Sequence, residues 1–149
     1  MRFKEIKLLP SSWILDVVHY PHKDDEEKLS HWMHIRYGIP LIDLERDPTN
    51  SNACHKIESA SKSELKGERR ILVVLKTLDD PGLIVHELLH ALWYYSSCSG
   101  TEMSYETQEW QALHLEYTFN EVINPKTWQV IPLKSIQLPK TVACTSPSS

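Results

Sequence analysis

Apolar positions recur with two different periods along this chain, and the changes of period mark its elements. Residues 13–20 (WILDVVHY) are β-branched and aromatic and predict a first strand, closed by Pro21. Helical spacing follows over 24–37, through Leu29, Trp32, Met33 and Arg36, until Gly38 and Pro40 stop it. A short strand is expected over 39–44, a turn over 47–52 and a weaker strand over 53–60. Residues 69–76 (RRILVVLK) form the clearest strand, whose unbroken apolar run predicts burial on both faces. Asp80 and Pro81 then suit an N-cap and first helical position, opening a helix that runs to about Ser96. A second helix is expected over 104–123, ended by Pro125, and an extended closing segment over 128–138.

These elements predict an α+β fold in one domain, residues 1–140, with a disordered tail at 141–149. The expected core is a small mixed or antiparallel sheet, with strand 69–76 near its active-site edge, packed on the last two helices. A chain of 149 residues with 41% hydrophobic positions is long enough for one buried core. A net charge of -4 speaks against a general nucleic-acid binder. The nearest thing to a basic patch, Lys62, Lys66, Arg69 and Arg70, is interrupted by Glu64 and Glu68 and reads as a solvated hairpin surface. No secretory signal and no apolar run of membrane-spanning length is visible, so no membrane partner is expected. Cys54, Cys98 and Cys144 are odd in number and far apart, which fits a reducing cytoplasm better than a disulfide framework.

The eight histidines change the picture, because two of them fall in His86-Glu87-Leu88-Leu89-His90 on the predicted helix. Positions four apart on a helix differ by about 40° around the axis and ~6 Å along it, so both imidazoles can reach one zinc ion. Glu87 then stands beside the metal, placed to take a proton from water and pass it to a leaving amine. By chance the pattern is expected about 0.04 times in a chain of this composition. Its apolar flanks add weight, since three ionisable groups in so apolar a helix are costly to bury without a partner.

A catalytic zinc usually has a third protein ligand. Downstream candidates are Glu102, Glu106, Glu109, His114 and Glu116. The second helix has an apolar stripe of Trp110, Ala112, Leu113, Leu115, Tyr117, Phe119 and Val122. Glu109 precedes Ala112 and Leu113 by one turn and is expected on that packed face; Glu116 shares it two turns on, and Glu106 lies in a wetter position.

A strand, an HExxH helix and a second helix bearing Glu about twenty residues later resemble the gluzincin-type zinc metallopeptidases. Glu109-Trp110-Gln111-Ala112 is similar to the ExxA or ExxD pattern of those enzymes, and 109–117 (EWQALHLEY) also resembles small HExxH proteins of phage genomes. The resemblance covers roughly 69–123. It implies a minimal zincin-like domain with His86, His90 and Glu109 as zinc ligands and Glu87 as catalytic base. It also implies an extended peptide or protein substrate along the sheet edge and, for a phage protein, action in the host cytoplasm. No HExxHxxGxxH extension follows, so a three-histidine site is not expected, and 149 residues are not expected to have room for the large substrate-binding domain of full-size gluzincins. The alternative is a zincin-fold binding or inhibitory protein without peptidase activity. Weaker features are Tyr94 and Tyr105 as oxyanion donors, His55 near a substrate strand, His31 and His34 as a second metal pair, and Cys98, around which no reactive-thiol signature lies.

Overall fold

The computed structural model describes residues 1–22, 25–37, 53–57, 68–101 and 104–131. Its five strands are β1 (Arg2–Leu8), β2 (Trp13–His19), β3 (Ala53–Ile57), β4 (Arg69–Leu75) and β5 (Gln129–Val130). Its three α-helices are α1 (Glu26–Tyr37), α2 (Pro81–Ser99) and α3 (Gln108–Ile123). The sheet has the order β3-β4-β2-β1-β5. β2 and β4 run parallel and the other three pairings are antiparallel, so the expected α+β fold has a mixed sheet. The predicted strand at 39–44 and the tail at 141–149 lie outside the described residues, as does the closing segment beyond Ile131.

The sheet is covered on both faces. Ile6, Leu8, Leu15, Val17, Ile71, Val73 and Leu75 meet Ile84, Leu88, Ala91, Leu92 and Tyr95 of α2 and Val122 of α3. On the other face, Phe3, Val18, Leu72 and Val74 meet Leu29, Met33 and Tyr37 of α1. Alternate residues of β4 therefore enter opposite cores, and its stretch from Ile71 to Leu75 is buried throughout, as the apolar run predicts.

β1 is a strand that the apolar pattern did not disclose. Its charges break the pattern, yet Lys4 is only 2% exposed. Its ammonium reaches α3, donating to the Glu121 carbonyl and pairing with the Glu121 carboxylate at 3.1 Å. A cation at the last turn of a helix also complements the helix dipole. A second correction concerns Arg70, expected on a solvated surface but buried on the face that meets α1. Its guanidinium donates to both Asp16 carboxylate oxygens at 2.8 Å, to Glu5 at 2.6 Å and to Glu68 at 2.6 Å. Arg69, the next position, points the other way and is exposed, with its guanidinium 5.8 Å from the Trp13 ring centre. Lys62 and Lys66 lie outside the described residues.

α2 starts where the Asp80-Pro81 pair predicts. The Asp80 carboxylate accepts from the Leu83 N–H at 3.1 Å, and Pro81 occupies the first turn, where no N–H is needed. The helix runs one turn further than expected, to Ser99, and closes on Gly100, whose φ of 74° suits a residue without Cβ. Asp80→Ala is expected to lower stability by about 1 kcal/mol, read as a shifted urea midpoint with unchanged slope. An unshifted midpoint would show that packing alone holds the helix start. α3 begins later than the predicted 104, because Thr107 Oγ1 accepts the Ser104 N–H at 3.0 Å and makes a turn there.

Candidate functional site

The apolar face of α2 is spent on the sheet, which turns the opposite face outward. Ile84, Leu88, Ala91, Leu92 and Tyr95 are all at most 2% exposed. His86 and His90 lie on the outward face and both are exposed. Their rings are 4.7 Å apart between centres and their Nε2 atoms 3.1 Å apart. Two nitrogens bound to one tetrahedral zinc at 2.0–2.1 Å are separated by about 3.3 Å. The pair is held at hydrogen-bond distance, slightly closer than that figure, with both Nε2 atoms turned toward one point. Glu87, one position on, turns inward and is 4% exposed. Burial pushes its carboxyl above the ordinary range, and the neighbouring His86 and His90 pull it part of the way back.

α3 lies beside α2 on the same face of the sheet. Trp110 stacks on Tyr95 with ring centres 5.6 Å apart, and His114 lies against Trp110 at 4.0 Å. Both His114 nitrogens face carbonyl oxygens, Nδ1 that of Trp110 at 2.9 Å and Nε2 that of Leu9 at 2.8 Å. This histidine ties α3 to the β1–β2 turn and is occupied there, away from the two on α2. The aromatic stack was not singled out from the sequence, although Trp110 and His114 share a helix face at i, i+4.

The carboxylates of α3 do not stand where their apolar neighbours implied. Ala112 is exposed and Leu113 is 62% exposed, so the face they share with Glu109 is the outer one. The packed face is Leu115, Thr118, Phe119 and Val122. Too many apolar residues ring this helix for all to reach the core, and the sheet takes those nearest Val122. Glu109 and Glu116 are both exposed on α3. Glu106 is exposed ahead of α3, its carboxyl held below the usual range by a hydrogen bond with Ser104. Glu102 lies outside the described residues. Among the described residues, no three His, Cys, Asp or Glu side chains gather into a group that could hold a metal. The structure thus brings His86 and His90 together with Glu87 behind them, and does not draw Glu109 into that group.

The weaker features separate similarly. Tyr94 is half-buried, its ring edge-on to Trp13 at 6.3 Å, whereas Tyr105 is 81% exposed before α3. His55 falls on β3, the edge strand beside β4. His31 and His34 are on α1, across the sheet from α2, and no third ligand joins them among the described residues. Cys98 is a half-buried free thiol packed against the α2 core. No helix among the described residues is long and apolar enough to cross a membrane. Comparison of the chain with protein-family models, curated proteins and solved structures finds no match.

Proposed function

We propose that the protein is a zinc-dependent peptidase built on α2. The observation that carries this reading is the convergence of the His86 and His90 Nε2 atoms, 3.1 Å apart, with the buried Glu87 beside them. Two neutral imidazoles suit zinc, and their exposure leaves room for an outside ligand and substrate. Zinc, when bound, supplies a Lewis acid that polarises a carbonyl and makes water nucleophilic near neutral pH. His86 and His90 would hold the ion. Glu87 takes the proton from the attacking water and delivers it to the departing amine, so the peptide bond breaks with one water consumed.

Glu109 is the proposed third ligand on the resemblance of its local string to the gluzincin pattern, and its exposure on α3, the helix packed beside α2, leaves its carboxylate open to a metal. The substrate is an extended peptide. It is taken to lie along the outward face of α2, where both histidines stand exposed.

Metal analysis and a peptide digest test the reading together. Purified protein is expected to hold one zinc per chain and to cleave peptides, and both properties are expected to disappear in His90→Ala. Glu109→Ala is expected to lose zinc as well; retention at full stoichiometry would overturn Glu109 as a ligand while leaving the pair on α2. A protein that holds zinc but cuts nothing would be a zincin-fold binding protein instead.

A further inference from the structure

α2 carries large apolar residues on its outward face as well as on its buried one. His86, Leu89, His90 and Trp93 follow the spacing i, i+3, i+4, i+7, which aligns them in a single stripe. All four are exposed, and Leu89 at 41% and Trp93 at 59% are the two exposed large apolar residues of the helix. The same stripe therefore alternates the two imidazoles with apolar side chains. Leu89 lies between the histidines in sequence, and Trp93 follows one turn after Leu89.

We propose that Trp93, with Leu89 beneath it, sets the specificity of the peptidase by receiving a large apolar side chain of the substrate. This rests on the peptidase reading above, which places the scissile carbonyl at the His86–His90 pair. Trp93 lies three residues beyond His90, about 4.5 Å along the helix axis. An extended peptide advances about 3.3 Å per residue. The side chain that meets the indole thus belongs to a residue one or two positions from the bond being cut. An apolar group there removes indole and leucine surface from water, whereas an alanine leaves it exposed.

The test is a digest of a synthetic peptide mixture by the zinc-loaded full chain, with the cut sites read by mass spectrometry. Leu, Phe, Met, Tyr or Trp is expected to be enriched at one position within two residues of the cut. For a matched pair of peptides bearing Leu or Ala there, Trp93→Ala is expected to lower the ratio of kcat/KM values about tenfold, chiefly through KM. Trp93→Phe is expected to restore most of that ratio, which separates loss of the apolar contact from a disturbed helix. Cleavage indifferent to apolar residues, or a ratio unchanged in Trp93→Ala, overturns the assignment while leaving the peptidase intact. Self-association that depends on Trp93 without any effect on the ratio also overturns it, because the stripe would then be covered by a second copy. Wild type that holds zinc but cuts no peptide overturns the peptidase reading, and the assignment with it.

Discussion

Glu87→Gln is expected to bind zinc as the wild type does and to hydrolyse peptides about 10²–10⁴-fold more slowly. The substitution keeps the shape of a side chain that is 4% exposed, and it replaces an ionisable group whose charged form burial already disfavours. Folding should therefore be unharmed, as a circular dichroism melt would show. An amide cannot accept the proton from an attacking water, so the loss falls on kcat, with KM nearly unchanged. The contrast with His90→Ala makes the result diagnostic, because that variant is expected to lose the rate by losing the metal. Full peptide hydrolysis by Glu87→Gln with zinc still bound would overturn Glu87 as the general base. A biological effect that survives the substitution would point to a protein that acts by holding a partner.

How much of this was legible beforehand depends on how local the determining contacts are. The start of α2 rests on residues within four positions of one another, Asp80, Pro81 and Leu83, and the motif that follows is equally compact. β4 could be read from its own seven residues because both its faces are apolar. β1 could not, because the burial of Lys4 depends on Glu121, 117 residues away, and no periodicity within Arg2–Leu8 records that partner. Arg70 was misplaced for the same reason, since its partner Asp16 stands on a different strand. The outer face of α3 was misread because a helix apolar on several sides does not say which side the sheet will take. The candidate site combines these cases. His86, Glu87 and His90 are fixed by one helix, whereas the placing of Glu109 and the exposure of Trp93 depend on how α2 and α3 lie on the sheet.

The largest stability effect is expected at the buried charges under α1. Asp16 is fully buried, accepting from Arg70 at 2.8 Å and from the Tyr37 hydroxyl at 2.7 Å. Glu5 and Glu68, the other partners of Arg70, have side chains 40% exposed and are better screened by water. Arg70→Met strips Asp16 of its only buried counter-charge among the described residues and is expected to cost about 3–5 kcal/mol at pH 7, measured by urea denaturation. Removing both charges, as Asp16→Leu with Arg70→Met, is expected to recover most of that loss, because no unpaired ion then remains inside.

The pH dependence follows from the same burial. In the wild type, burial already raises the Asp16 carboxyl above its ordinary value, against the pull of Arg70 and the Tyr37 hydrogen bond. Folding therefore favours the protonated form. The stability so gained is complete below the unfolded pKa of about 3.9 and is lost as the pH rises through the folded value. Without Arg70 the folded value rises further, so the Arg70→Met deficit is expected to shrink as the pH falls from 7 towards 5. The double variant, with no carboxyl at position 16, is expected to lack that recovery. A deficit in Arg70→Met that stays constant over this range would show that the arginine stabilises the fold by packing against α1, and not by neutralising Asp16.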